Sequence, residues 1–185
     1  MSCDIALRLL RADAPEAIMC APEVWPRWAV LLPHVLAAVE HLETGDGGSG
    51  AGVWWLLDRA GVYLQVHGHA GEARNLLERA LAIAEGTYGT DHPSVARCLS
   101  TLAMILKDLG EFGAARALQE RALGIDEAVY EPDHPRVAND MNDLALVLCE
   151  LGEFSAARSL LERALAIDEA VYLCNDARRA SGERA

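Results

Sequence analysis

Apolar side chains recur along most of this chain at spacings of three and four residues, which is the pattern of amphipathic α-helices. The clearest stripe is Leu99, Leu102, Ala103 and Leu106, which returns as Met141, Leu144, Ala145 and Leu148. No segment alternates apolar and polar residues with the period of two that marks a β-strand. The pattern therefore predicts an all-α protein.

The whole pattern repeats with a period of 42 residues. Residues 110–130 match residues 152–172 at every place except Gly113/Ser155, Ala117/Ser159, Gln119/Leu161 and Gly124/Ala166, and residues 91–109 return as 133–151. A period of roughly 20–50 residues is typical of stacked helical units that bury their apolar faces only against one another. The sequence predicts a solenoid of three antiparallel helix pairs, at 51–90, 91–132 and 133–172.

The segments outside the repeats predict extra helices before the stack. Residues 1–25 predict a short helix and an irregular connector, and residues 26–50 predict a capping helix followed by a glycine-rich linker. Pro33 lies inside the capping helix and predicts a kink or a restart there. Residues 173–185 are predicted to form a polar tail.

The repeat helices carry start and stop signals. Asp91 and Asp133 each precede a His-Pro pair, and an aspartate there is expected to cap the free N–H groups of the following helix. Gly110 and Gly152 follow the same helices and suit the left-handed turn that ends a helix. Each repeat is therefore expected to be a helix, a tight turn and a longer second helix.

Composition narrows the class of partner. The chain has 16 basic and 28 acidic residues and a net charge of −12, so we expect repulsion from nucleic acids and anionic membranes and a preference for a basic partner. Aromatic residues make up only 5%, which favours helix packing through small side chains. No apolar run approaches the ~18 residues of a membrane span. Five cysteines without a CxxC pair favour a reduced, cytoplasmic setting.

The repeating positions resemble a known family. The spacing Leu102-Ala103, Leu106, Gly110, Ala115 and Ala122, copied as Leu144-Ala145, Leu148, Gly152, Ala157 and Ala164, resembles the tetratricopeptide repeat (TPR). The period and the DHP helix starts resemble its kinesin light chain-type variety, which implies a right-handed solenoid with the first helix of each pair on the concave face. Residues 25–42 also resemble the lead-in to such repeats in bacterial signalling ATPases with an NB-ARC-type module, although no G-x-x-x-x-G-K-[ST] motif occurs.

The resemblance implies a protein-binding surface on the first helices. Its candidate residues are Trp55, Asp58, Arg59, Val62 and Gln65 in the first copy, Arg97, Ser100, Thr101, Met104 and Lys107 in the second, and Asn139, Asn142, Asp143, Leu146 and Cys149 in the third. Amide, hydroxyl and apolar groups on one face suit peptide capture, and Asn142 matches an asparagine that holds peptide backbone in this family. Asp58 and Ser100 stand where relatives that clamp a peptide carboxylate carry lysine or asparagine, so such a ligand is not expected. The alternative is a solvated helix face without a ligand.

No arrangement suited to catalysis, a cofactor or a metal is predicted. The run at 45–50 fits G-x-G-x-x-G but follows no predicted strand, so a linker is the better interpretation. His67 and His69 flank a turn without a nearby set of cysteine or carboxylate ligands. We therefore predict a non-catalytic protein without cofactor or metal.

These observations predict a protein–protein interaction module, a scaffold that binds a partner peptide or protein segment on its concave face. Two alternatives stay open. One is that the chain is the sensor part of a multidomain signalling ATPase. The other is self-assembly into a homo-oligomer, because only a short polar tail follows the final helix at 154–172, and a solenoid is expected to cover its end with a polar-faced cap. The apolar residues of that helix are Leu160, Leu161, Leu165, Ile167 and Val171.

Overall fold

The computed structural model describes residues 3–15, 18–19, 21–43 and 52–181, with side chains over 5–15, 18–19, 21–40 and 52–171. Its α-helices are α1 Cys3–Asp13, α2 Trp25–Glu43, α3 Val53–Val66, α4 Ala70–Tyr88, α5 Pro93–Asp108, α6 Phe112–Val129, α7 Pro135–Glu150 and α8 Phe154–Ser181. A short 3-10 helix, Pro22–Val24, precedes α2. The predicted glycine-rich linker at 45–50 lies outside the described residues.

Three antiparallel helix pairs, α3/α4, α5/α6 and α7/α8, stack side by side. Among the described residues, the backbone of α5 approaches those of α3 and α7, whereas the backbones of α4, α6 and α8 do not approach one another. The first helices therefore line the inner, concave side of the stack, and the second helices form its outer side. This architecture confirms the predicted all-α solenoid with extra N-terminal helices.

The helix starts differ from the prediction, because His92 and His134, and not the aspartates before them, cap α5 and α7. Each histidine Nδ1 accepts a hydrogen bond from the backbone N–H two residues later, at 3.1 Å in both copies. The His92 imidazole also stacks on Tyr88 with 4.5 Å between ring centres. The prediction of Asp91 and Asp133 as caps was wrong, because the histidine is the extended residue directly before the helix.

The predicted helix stops are confirmed. Gly68, Gly110 and Gly152 end α3, α5 and α7 with φ angles of 82°, 80° and 78°, in the left-handed region that favours glycine. The Glu111 N–H donates to the Leu106 carbonyl at 2.8 Å, which is the long hydrogen bond of a Schellman turn. These turns send each second helix back along the first.

Helices α1 and α2 cover the α3 end of the stack. Trp28 of α2 is fully buried, and its indole N–H donates to the Pro15 carbonyl at 3.1 Å. Its ring stacks on Tyr63 of α3 with 6.3 Å between ring centres. α2 continues through Pro33 without a restart, because Pro33 and Ala29 lie on the exposed side, where water can satisfy the carbonyl that proline leaves unpaired.

Helix α8 is longer than the prediction allowed. It continues past Tyr172 to Ser181, so the predicted polar tail begins as helix. No glycine or proline follows Tyr172 before that point, so nothing in the local sequence stops the helix. Residues 182–185 lie outside the described part of the chain.

The buried apolar side chains form two clusters. The larger one extends from α1 to α6 and takes in Val147 of α7, and the smaller one joins α7 and α8 to Leu123 of α6. Near their junction, α6 and α7 bury the polar residues Gln119, Asp126 and Asp140. The last helix pair is therefore joined to the stack by polar as well as apolar contacts.

Candidate functional site: the inner groove

A groove opens on the concave side between α5 and α7. Its lining residues are Ser100, Ala103, Met104 and Lys107 from α5, Gln119 from α6, and Asp143, Leu146 and Val147 from α7. The spacings of three and four residues mean that α5 and α7 each contribute one face. Ala103 and Val147 are buried and Leu146 is 51% exposed. The groove therefore has an apolar floor and an exposed leucine at its edge.

A hydrogen-bonded network lies beneath the groove. The Ser100 hydroxyl donates to Asp140 Oδ1 at 3.0 Å. The Gln119 amide nitrogen donates to the Asp140 backbone carbonyl at 3.3 Å and lies 3.4 Å from Ser100 Oγ. Gln119 is 1% exposed and Asp140 is 6% exposed, so water does not compete for these bonds. The network fixes the polar wall of the groove.

Asp140 and Asp126 form a buried carboxyl pair behind this network. Burial and the neighbouring Asp126 charge raise the pKa of Asp140 to about 7, while the Ser100 hydrogen bond and the Arg136 charge act in the opposite direction. Arg136 Nε lies 3.1 Å from Asp126 Oδ2. Within the described structure, one oxygen of each carboxyl has no hydrogen-bond partner. Asp140 therefore retains its proton up to near-neutral pH.

Lys107 and Asp143 bring opposite charges to the two walls. Both side chains are half-buried. Burial raises the pKa of Asp143, and the Lys107 ammonium acts against that shift. The charges lining the groove are therefore balanced, in contrast to the net charge of −12 of the whole chain.

The structure brings together five of the predicted site residues. Ser100, Met104, Lys107, Asp143 and Leu146 all line the groove. On α7, Asn139 is exposed and Asn142 is half-buried, and Asn139 shares a helix face with Asp143 and Leu146 at spacings of four and three residues. The two asparagines are therefore placed beside the groove, one of them directly in line with its α7 wall.

Trp55, Asp58, Val62 and Thr101 are buried, so their prediction as off-core positions was wrong. Trp55 is 5% exposed because the N-terminal helices cover α3, with the Arg11 guanidinium 5.6 Å from the centre of its ring. Thr101 donates its hydroxyl hydrogen bond to the Arg97 carbonyl one turn earlier at 2.9 Å. None of these side chains is available to a partner in this conformation.

Arg59 and Arg97 form ion pairs with the buried carboxylate of Asp58. Asp58 is 0% exposed, and its Oδ2 lies 2.6 Å from an Arg59 guanidinium nitrogen and 3.5 Å from Arg97 Nε. Losing either arginine would leave a buried charge with less compensation. Both arginines are therefore structural, and a contact with a partner stays a prediction.

Gln65 and Cys149 lie away from the groove lining. The Gln65 amide donates to Asp108 Oδ2 at 2.7 Å, which ties the end of α3 to the end of α5. Cys149 is an exposed free thiol near the end of α7.

Gln119 lines the groove although the repeat pattern did not single it out. It belongs to a second helix, α6, which that pattern assigns to the outer side. The available signal was the difference between Gln119 and Leu161, one of four differences between two otherwise identical 21-residue segments. The first copy has Leu77 at this position, which is 0% exposed, and a polar residue at such a buried position marks a local change of function or packing.

The stack of helix pairs with an open inner groove defines a helical-repeat protein with a surface suited to binding. A family model described as tetratricopeptide repeat matches residues 51–128 and 99–170. The chain therefore belongs to the tetratricopeptide repeat family. The matched residues include every residue that lines the groove.

Solved structures share this fold. A crystal structure of nearly identical TPR-like repeats from a Podosopora anserina protein, named as a kinesin light chain, matches with a TM-score of 0.72 and 21% identity, covering 92% of this chain and 78% of that one. BtubC (BKLC) from P. vanneervenii matches with a TM-score of 0.76 and 18% identity, covering 93% of this chain and 66% of that one. A search of curated proteins found no significant match.

Membrane-spanning helices and metal-binding clusters do not occur in the described ranges. None of the helices there combines the length and hydropathy needed to cross a bilayer. The same residues contain no group of three or more His, Cys, Asp or Glu side chains placed to hold a metal ion.

Proposed function

We propose that this TPR protein is a non-catalytic interaction module that binds an extended segment of a partner protein in the inner groove between α5 and α7. The observation that carries the proposal is the combination, in one open groove, of a buried apolar floor, a half-exposed leucine and polar groups on both walls. Pockets for side chains beside hydrogen-bonding groups for backbone are what extended peptide recognition requires.

The groove supports a specific mode of binding. An apolar side chain of the partner packs on Ala103 and Val147, between Met104 and Leu146. The Asn139 and Asn142 amides lie on the same helix as Leu146 and can each donate to and accept from a peptide backbone. In this mode the apolar contact supplies affinity and the amides fix direction and register.

The charges that line the groove affect which charge is expected of the bound segment. A preference for a basic partner rests on the net charge of −12, which acts at long range and on association rate. At the groove itself, Lys107 and Asp143 offset each other. We propose that the bound segment is selected by shape and apolar contact, with charge of either sign tolerated beside it.

Peptide selection tests the proposal. A phage-displayed random peptide library is selected on the wild-type protein, and the enriched peptides are titrated calorimetrically against wild type and Leu146→Glu. Leu146 is half-exposed, so the substitution should not disturb folding. Because it places a charge against the apolar contact, we expect it to weaken binding by roughly tenfold or more.

Leu109→Glu is the matched control. Leu109 is 41% exposed at the end of α5 and does not line the groove, so its variant should bind as wild type does. Peptides that bind wild type and Leu146→Glu equally well would contradict binding in the groove. Arg97 is not a suitable test position, because its removal would leave the buried Asp58 carboxylate with less charge compensation and could destabilise the fold.

A role as the sensor part of a signalling ATPase stays a prediction, since it rests on residues 25–42 alone. Those residues belong largely to α2, which packs on α3.

A further inference from the structure

One face of α8 is exposed where the equivalent faces of α4 and α6 are covered. It is the stripe Phe154, Arg158, Leu161, Leu165 and Asp168, whose spacings of four and three residues place it on a single side of the helix. Leu161 and Leu165 are 42% and 57% exposed. The counterparts of Leu161 are Leu77 and Gln119, which are 0% and 1% exposed. Those of Leu165 are Leu81, which is half-buried, and Leu123, which is 8% exposed. The described stack therefore ends on an apolar stripe.

Arg158, on the same stripe, makes one ion pair fewer within the described part of the chain than its counterpart in α6. Its counterpart Arg116 pairs with Glu120 in its own helix and with Glu153 in the turn between α7 and α8, both at 2.7 Å. Arg158 pairs with Glu162 of its own helix at 2.7 Å, and no second acidic partner occurs among the described residues. Its side chain is 80% exposed, against 39% for Arg116. The stripe thus has room for a second carboxylate from whatever covers α8.

The stripe is complementary to itself. Position 163 lies midway between Leu161 and Leu165, and it also lies midway between Arg158 and Asp168. When two α8 helices lie antiparallel about a two-fold axis at this midpoint, Leu161 of each copy meets Leu165 of the other. In the same register, Arg158 of each copy meets Asp168 of the other, which supplies the missing carboxylate. This is the closed, isologous arrangement that most homodimers adopt.

We infer that α8 is a homodimer interface, in which two copies of this chain pack the stripe from Phe154 to Asp168 antiparallel about a two-fold axis. A second copy cannot extend the stack head to tail, because α1 and α2 already cover the α3 end, where Trp28 is fully buried. The stripe shares no residue with the inner groove, so the dimer and the proposed peptide binding are independent.

Charge exchange tests the register. Arg158→Asp and Asp168→Arg are prepared separately in the full chain, and each is examined by sedimentation equilibrium over a micromolar dilution series. Wild type should show a monomer–dimer equilibrium. Each variant alone places two like-charge pairs in the interface, so its dimer should be weaker by roughly tenfold or more. Mixed in equal amounts, the two variants should form a heterodimer near wild-type strength, because both cross-pairs are then opposite in charge.

Two substitutions at exposed apolar positions, one on the stripe and one on α2, test where the interface lies. Leu165→Glu places a charge in the centre of the stripe and should give a monomer, whereas Val30→Glu, at a 56% exposed position of α2, should leave the dimer intact. Circular dichroism melting of each variant establishes that it is folded. A wild-type protein that is monomeric at the highest concentration would overturn the inference. So would dissociation by Val30→Glu, a dimer that survives Leu165→Glu, or failure of the mixed charge variants to recover.

Discussion

Gly61→Ala offers a direct test of how closely the first helix pair packs. Gly61 occupies the position that is Ala103 in the second repeat and Ala145 in the third. A Cβ atom added at Gly61 would lie 2.8 Å from Leu77 Cγ and 3.1 Å from Leu77 Cδ2. Leu77 is 0% exposed, so its branch cannot move into solvent. One methyl group should therefore force a shift between α3 and α4.

Two opposing effects set the magnitude. Replacing a helical glycine with alanine favours the helix by ~1 kcal/mol, whereas overpacking a filled core costs ~1–3 kcal/mol. Because the contact at Gly61 is with a buried branch atom, we expect overpacking to exceed the propensity gain. The free energy of unfolding should fall by about 1 kcal/mol in Gly61→Ala, as measured by urea denaturation followed by circular dichroism.

Gly124→Ala is the matched control. Gly124 lies in α6, and a Cβ there would meet nothing within 4 Å. Only the propensity gain remains, so this variant should be more stable than wild type by ~0.5–1 kcal/mol. If Gly61→Ala stabilised the protein as much as Gly124→Ala does, the close approach of α3 and α4 at Leu77 would be refuted.

Two further predictions concern the third repeat. The folded-state pKa of Asp140 is raised to about 7, above the ~3.9 of an unfolded aspartate, so the folded state binds this proton more tightly and the stability of wild type should decline as pH rises from about 4 to 7. Asp140→Asn cannot ionise and still accepts the Ser100 hydrogen bond. In urea denaturation, its free energy of unfolding relative to that of wild type should therefore rise by a few kcal/mol between pH 4 and 8. The same pH dependence in both proteins would contradict a raised pKa of Asp140. His134→Ala removes the cap of α7 and should lower the free energy of unfolding by ~1 kcal/mol. His134→Asn keeps a side-chain acceptor and should lose much less. Equal losses in the two variants would show that the ring nitrogen is not the cap.

The period of the sequence was sufficient to predict the helix pairs and their turns. Gly110 and Gly152 could be recognised because a left-handed helix end strongly favours glycine, whatever surrounds it. The capping residue could not be read in the same way. His92 and Asp91 are both able to accept a hydrogen bond, and only the backbone conformation shows which of them directly precedes the helix.

The residues of the candidate site could be predicted only where contacts between repeats set the exposure of the side chain. In α5 and α7 the rule that off-core positions of the first helix face the groove succeeded for Met104 and Leu146 but not for Thr101, which is buried. It failed for Trp55, because α1 and α2 lie outside the repeat and cover that part of α3. Gln119 was missed because it reaches the groove from the second helix. Burial that comes from non-repeating elements cannot be inferred from the period.

The central claim is that the inner faces of α5 and α7 form the surface that binds a partner. Hydrogen–deuterium exchange on the full chain, with and without a peptide from the phage selection, tests it most directly. Bound peptide should slow exchange in 97–107 and 139–149, which hold the two walls of the groove, and leave exchange in α4 unchanged. Protection confined to α4 or α8 would contradict the claim.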